Sequence, residues 1–389
     1  MSYDVIVVGA RCAGAPLAML LARAGRSVLL LDRSRFPSET MSTHWVLRQG
    51  IDLLAEWNLL NDLFATGCPP ITEVRMDFGD VVLSGVPTTA SGATAVTCAP
   101  RRFVLDNLLV RAAVEAGVEV REGVAVSDVV WEDGAVVGVT GAGFTERARL
   151  VVGADGRNST IARAVGAATA DDRGALTATS YAYWSGLDVS GVETTIRPGC
   201  GVSMWPTHDG LTVVGLVLPR QDFLSRKQPG EQIYLDSLAQ FDRLRGCRVE
   251  SRVRVATNLR NYHRRSHGPG WVLAGDAGYH QDPIGAHGIS NAFSDADQLS
   301  RTILRALDGG VRIERGLARY EARRNADRAA SFEFTCGQAA LRPVNDFDHV
   351  LSAAAAHPAT ASELLGMFVG GRRIEQFFAP ANLARMIGG

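Results

Sequence analysis

The sequence predicts an α/β fold in three parts: a parallel-sheet domain with helices packed on it, a second, sheet-based domain inserted into the first, and a helical C-terminal region. Three observations carry this expectation. Residues 4–32 read as strand, glycine loop, helix, strand; the stretch from about Thr177 to Pro219 is β-rich and aromatic; and from about Arg312 the pattern is mostly helical. With 389 residues, 46% of them hydrophobic, the chain can bury more than one core.

Asp4 to Gly9 is a short, Val-rich run without polar interruption, as expected of a strand buried on both faces of a parallel sheet. A helix follows, with Leu17, Leu20 and Leu21 on one side, Pro16 in its first turn, where a missing N–H costs little, and Gly25 as its stop. "SVLLLD" is a second buried strand ending on Asp32. "RRFVLDNLLVRAAVEAG" predicts a helix with Val104, Leu105, Leu108, Leu109 and Ala112 on one face and Gly117 at its end. Short alternating strands with an Asp133-Gly134 turn come next, then "ARLVVGADG". "GWVLAGDAG" is one more buried strand returning to the first domain, and a helix starts at about Gly288 with Ile289, Ala292, Phe293, Ala296 and Leu299 inward.

Composition narrows the partners. Forty Lys and Arg against 41 Asp and Glu leave a net charge of -1, so no bulk field draws nucleic acid or an anionic membrane, and a small-molecule partner is expected. The six cysteines are scattered, with neither a C-x-x-C pair nor metal spacing, which reads as reduced thiols in a cytoplasm and no metal site. The apolar N-terminal run is interrupted by Gly9, Arg11 and Arg23, and no run approaches the roughly 20 apolar residues of a spanning helix; a soluble, cytoplasmic protein is expected.

Three glycine motifs carry the chemistry. In "GARCAG" Gly9 permits the tight turn out of the strand, and Gly14 with Ala18 lets the helix sit close to the sheet. Arg11 replaces the usual middle glycine, yet the helix N-terminus keeps its anion site. Asp32 follows Gly9 by 23 residues, the position from which a carboxylate accepts hydrogen bonds from a ribose. "VVGADGRNSTIARAVG" sets Asp155-Gly156 at a strand end with Ser159 and Arg163 behind it, and "GWVLAGDAGYHQDPIGAHGISNAF" sets Gly275-Asp276 at another. Taken singly, Asp155 is equally a turn residue and Asp276 a helix cap.

Together, in this order, the three motifs resemble those of the FAD-dependent single-component (group A) monooxygenases of the para-hydroxybenzoate hydroxylase type, over roughly residues 1–330. The resemblance implies a Rossmann-like FAD-binding domain formed by 1–70, 97–176 and 265–311, a β-sheet substrate domain from 71–96 and 177–264, and a C-terminal helical region, 312–389. It also implies an enzyme in which NAD(P)H reduces FAD, O2 forms a flavin hydroperoxide, and one oxygen atom passes to a small aromatic or unsaturated substrate. Gly9, Cys12, Ala13 and Gly14 would hold the pyrophosphate, and Asp32 and Arg33 the adenosine end. Arg102 would contact the cofactor, Val126 would bracket the adenine, Asp155 would serve FAD and NAD(P)H, and Asp276 would bind the ribityl chain. Pro283, Gly285, Ala286, His287, Gly288 and Ile289 would pass beside the isoalloxazine, Pro283 among the catalytic residues, where a helix N-terminus stabilises negative charge on reduced flavin.

The chain departs from the family where Tyr279 holds the slot of a common His, found one place later as His280, and where Ser290 stands for a common Asn. In "SETMSTHWVLRQG", Thr43, His44 and Trp45 either line the active site, with His44 a catalytic donor or proton relay near neutral pH, or form a capped helix start with Ser42 or Thr43 as N-cap. Trp45, Tyr183 and Trp205 are the candidate substrate contacts, beside Tyr181, Trp184, Met204 and His208, most of which read better as core. Two other activities share the fold: a reductase of the geranylgeranyl reductase type, and a flavin halogenase, for which the W-x-W-x-I-P segment is absent.

Overall fold

In the computed structural model, which describes residues 2–341 and 345–387, two large sheets organise the chain. The first has the strand order His267–Gly268, Trp271–Leu273, Phe144–Gly153, Tyr3–Val8, Val28–Asp32, Glu119–Glu122. Its central pairings are parallel, with Val5 to Val8 in register with Val28 to Leu31 on one side and with Leu150 to Gly153 on the other. Side chains alternate through this sheet, so the apolar runs cover two faces. Val5, Val7, Leu30 and Val152 face the helices Gly14–Arg23, Arg102–Glu115 and Gly288–Leu307. Ile6, Val8, Leu29 and Leu31 face the hairpin Val126–Glu132/Ala135–Gly141, which turns at Asp133 (φ 48°) and Gly134 (φ 77°).

Two helices differ in detail from the sequence pattern. Met19 and Ala15 are buried as fully as Leu17, so the first helix is apolar nearly all round, because the sheet, the 102–115 helix and the 288–307 helix all touch it. In the helix Arg102–Glu115 the buried face holds Leu105, Leu109, Ala112 and Ala113 together with Arg102 and Asp106, while Val104 and Leu108 are only half-buried. An ion pair displaces part of the expected apolar stripe.

The second sheet runs Arg248–Val249, Thr177–Ser185, Thr212–Pro219, Cys200–Pro206, Val192–Arg197, Val74–Asp77, Val82–Gly85. One face packs on the helices Arg220–Ser225 and Gly230–Leu238 through Trp184, Met204, Leu216, Phe223 and Tyr234. The other face carries Tyr181, Tyr183, Trp205 and Val213 toward the C-terminal helices Asn345–Ala356 and Pro358–Phe368. Period-two alternation therefore splits the predicted aromatic cluster: Trp184 and Met204 are core, and Tyr181 and Trp205 face the other way. His208, from the same cluster, bonds the Thr66 hydroxyl at 2.9 Å.

Candidate active site

The glycine loop is closed to anything but glycine at two points. Gly9 has φ +104°, and a Cβ there would lie 2.4 Å from the Ala154 carbonyl oxygen. A Cβ on Gly14 would lie 1.8 Å from the Gly9 oxygen. Between them, the N–H groups of Arg11, Cys12 and Ala13 have no acceptor among the described residues, and they sit at the start of a ten-residue helix. The Cys12 thiol, pushed up to about 12 by burial, stays protonated.

Asp32 is turned inward rather than held open: Oδ2 accepts the Ala10 N–H and Oδ1 the Ser34 N–H, both at 2.7 Å. It fixes the loop, and any ribose hydroxyl would share oxygens already in use. Arg33 beside it is exposed. The Val124 N–H donates to the Asp32 carbonyl at 2.9 Å, which brings the half-buried Val126, two residues on, to the same end of the sheet.

Arg11 does not reach into the loop. Its guanidinium bonds Asp106 and the Ser38 hydroxyl, the latter at 2.9 Å. Arg102, expected to face a cofactor directly, also bonds Asp106, through Nε at 3.1 Å and Nη2 at 2.9 and 3.1 Å. Two cations thus share one fully buried carboxylate and leave a net positive charge beside the unpaired N–H groups. Asp106 was missed in the sequence, although its i,i+4 spacing from Arg102 was a visible signal.

The mid-chain Asp155 caps the helix Thr160–Ala164, accepting from the Thr160 N–H at 2.6 Å and the Ser159 hydroxyl at 2.5 Å. Burial raises its pKa, opposed by these bonds. Asp276 is different, since its carboxylate has no hydrogen-bond partner among the described residues; only its carbonyl is held, by the Tyr262 hydroxyl at 2.6 Å. The Gly275 N–H is tied to Asp295, which pairs with buried Arg328 at 2.6 Å, a long-range clamp that no local spacing announces.

Downstream, Asp282 caps the turn Pro283–Gly285 and receives the Thr177 hydroxyl at 2.8 Å; burial pushes this carboxyl up to about 6. Ala286 takes φ 54°, and the helix Gly288–Leu307 begins with the His287, Gly288 and Ile289 N–H groups unpaired among the described residues. Ser290, in place of the family's Asn, accepts the Leu47 N–H at 3.0 Å and docks the 42–47 segment on this helix.

That segment overturns one reading of "STHW" and divides the other: Thr43 and Trp45 line the cavity, whereas His44 does not. The helix starts at Arg48, so neither Ser42 nor Thr43 is its N-cap. His44 is fully buried with φ 64°, its Nε2 is 2.8 Å from the Tyr183 hydroxyl, and burial, reinforced by Arg102 and Arg101, pushes its imidazole down to about 3. At neutral pH the imidazole is uncharged. Tyr183 is spent on this bond and on Arg101, whose guanidinium lies 4.6 Å from its ring centre, so it sits behind the cavity wall and Tyr181 takes its place in the lining.

The cavity itself measures about 560 Å³. Ser42, Thr43, Trp45 and the loop from Pro283 to His287 bound one end, and the inner face of the second sheet forms its floor. Trp45 and Trp205 stack at 6.0 Å, with Trp45 Nε1 bonded to Thr97. Phe334, Phe368 and Phe378, from the C-terminal region, complete its lining.

These residues fit FAD at both ends: unpaired N–H groups and a net positive charge at a helix start suit a pyrophosphate, a free carboxylate at Asp276 suits a polyol, and a second helix start borders the cavity.

Comparison with known proteins agrees. A family model described as "FAD binding domain" matches residues 2–335. The chain is 26% identical over 331 residues to the 1H-pyrrole-2-carbonyl-[peptidyl-carrier protein] brominase of Pseudoalteromonas luteoviolacea, covering 79% of each chain. It is 28% identical over 357 residues to digeranylgeranylglycerophospholipid reductase 2 of Methanothermobacter thermautotrophicus, covering 85% of this chain and 87% of that one. With 6-methylpretetramide 4-monooxygenase of Streptomyces rimosus the identity is 29% over 345 residues, covering 83% and 80%. The crystal structure of a flavoprotein/dehydrogenase from Cytophaga hutchinsonii shares the fold, with TM-score 0.80, 19% identity and coverage of 98% and 95%. Because that family model spans most of the chain, the chain belongs to the FAD-binding, para-hydroxybenzoate hydroxylase-like flavoproteins and is an FAD-dependent oxidoreductase.

Proposed function

We propose that this flavoprotein is a monooxygenase that uses NAD(P)H and O2 to hydroxylate or epoxidise a small aromatic or unsaturated molecule in the cytoplasm. The observation that carries this reading is the apolar cavity of about 560 Å³ that ends on the Pro283–His287 loop, at the start of the helix Gly288–Leu307. When bound, FAD supplies the redox chemistry and the reactivity toward O2. The chain supplies the rest. Free N–H groups at the helix start favour negative charge there, and the aromatic walls exclude water and orient the substrate. His287, pushed down to about 4 by burial and by Arg328, is a neutral hydrogen-bonding group at neutral pH. Pro283 and Gly285 shape the wall between cofactor and substrate, without ionisable groups of their own. The relative named 6-methylpretetramide 4-monooxygenase, 29% identical, supports the reading.

A second reading, reduction of a carbon–carbon double bond, is favoured by the same wall, because Val74, Val192, Ile196 and Val217 suit an alkyl chain as well as a ring. The relative named digeranylgeranylglycerophospholipid reductase, 28% identical, points that way. One assay separates them. FAD-loaded protein is incubated with NAD(P)H, candidate substrates and isotopically heavy O2. A product that gains one heavy oxygen, with substrate-stimulated O2 uptake, is expected; a product that gains only hydrogen, formed equally without O2, refutes the monooxygenase reading.

A further inference from the structure

We infer that the ligand of this cavity is a neutral, flat, multi-ring molecule lying on the floor of the second sheet, and that Gly215 sets how large it can be. The inference rests on the reading above that this cavity is the substrate site.

The floor is a set of cross-strand rows. Met76, Thr194, Ser203, Gly215 and Tyr181 are paired in turn across five strands and lie in one row on the same face. The row has bulk at its two ends and almost none in its middle. The neighbouring row, Ile196, Gly201, Val217 and Thr179, adds a second glycine next to Ser203. The result is a shallow basin over Ser203, Gly201 and Gly215, bounded by the Trp205 ring.

Nothing in the fold requires glycine at 215. Its φ lies outside the left-handed region, and a Cβ would make ordinary contacts, 3.6 Å from the Trp205 ring and 3.7 Å from the Ser203 carbonyl. Gly14 and Gly138 are the contrast, since a Cβ on either would meet backbone oxygen at 1.8 and 2.1 Å. A glycine inside a central strand weakens that strand and is kept where something else approaches the backbone. At Gly215 the space above it belongs to the cavity.

Charge fixes the second property. Among the described residues, Arg197 is the one lining residue with a permanent charge, and Asp77 neutralises it at 2.9 Å. A carboxylate brought onto this floor, away from the helix start, would lose its water and find no free cation. Flatness follows from the lining: a pleated sheet with little side-chain bulk at Gly201, Ser203 and Gly215 forms one wall, and the rings of Trp45, Trp205, Phe334, Phe368 and Phe378 contribute to the rest.

The test is calorimetric binding to the FAD-loaded protein with four probes: phenol, 9-phenanthrol, phenanthrene-9-carboxylate and geranylgeraniol. 9-Phenanthrol should bind and the carboxylate should bind roughly tenfold more weakly or less, as expected for an unpaired charge. Gly215→Val should weaken 9-phenanthrol by roughly tenfold or more while leaving phenol and FAD content unchanged, and Gly215→Ala should fall between. If the Val variant loses FAD, the Ala variant decides, because its methyl meets only ordinary contacts. No measurable 9-phenanthrol binding, equal affinity in the FAD-replete variants, equal affinity for the carboxylate, or tighter binding of geranylgeraniol would each overturn the inference. Binding of 9-phenanthrol with the expected dependence on Gly215, together with a substrate that gains only hydrogen in the heavy-oxygen assay, would instead sink the monooxygenase reading and leave this one standing.

Discussion

Replacing Asp106 with Ala tests whether the charge arrangement beside the glycine loop holds the FAD-binding domain together. The carboxylate is fully buried and takes three contacts of 2.9–3.1 Å from Arg102, itself 8% exposed, and another from Arg11. Removing one partner of a buried pair leaves an uncompensated charge, at a cost of about 3–5 kcal/mol. That is a large share of the roughly 5–15 kcal/mol that typically separates folded from unfolded chains. Arg11→Gly is milder, because Asp106 keeps Arg102 and the Arg11 side chain is 23% exposed; about 1–2 kcal/mol is expected. In the double variant the costs should sum to less than the singles, since Arg11 has lost its partner once Asp106 is gone. The assay is the urea midpoint of the apoprotein by circular dichroism, compared as midpoints because a chain with several cores need not unfold in one step. Flavin content is read in parallel, with Arg11→Gly expected to retain FAD. An Asp106→Ala midpoint equal to wild type, or a larger loss from Arg11→Gly, refutes the reasoning; loss of all FAD from Arg11→Gly would make its guanidinium a required phosphate ligand.

Gly14→Ala should yield colourless protein, because its Cβ would come 1.8 Å from the Gly9 oxygen; absorbance of the purified variant checks it. Asp276→Ala should weaken FAD binding with little loss of apoprotein stability, since the carboxylate makes no hydrogen bond within the described chain; flavin titration against thermal melting separates the two effects. His44 has its pKa lowered to about 3 in the folded protein, so the stability it contributes is complete above the unfolded value of about 6.5 and is lost as pH falls from there toward 3. His44→Asn, which tolerates the left-handed backbone at φ 64°, should flatten the acid side of the stability profile, and an unchanged profile would show that the imidazole is not held neutral.

The motifs were legible because each is local. Gly9, Gly14 and the strand-loop-helix pattern around them lie within a few residues, and turn geometry fixes their meaning regardless of what packs elsewhere. The alternation in Thr177–Ser185 was equally visible, yet which face met a cavity depended on the C-terminal helices, whose docking no periodicity encodes. His44 shows the limit most clearly. A histidine beside a tryptophan in the right segment invites a catalytic role, and the loop does pass the cavity through Ser42, Thr43 and Trp45. What decides its chemistry is distant: Tyr183, 139 residues on, accepts or donates its one hydrogen bond, and burial by the surrounding fold, reinforced by Arg102 and Arg101, holds it uncharged.

Arg11 shows how an irregular motif can keep the space of a regular one. A glycine at the middle position serves by leaving room for backbone to approach phosphate. A long side chain serves as well if something draws it out of that room, and Asp106 and Ser38 do so. The substitution thereby brings a second cation to a carboxylate that Arg102 alone would neutralise, and the loop gains a positive charge that a glycine could not give it. Field and shape at this loop are then set by different residues, Asp106 placing the charge and Gly9 and Gly14 keeping the space, so that variants of the one leave the other measurable.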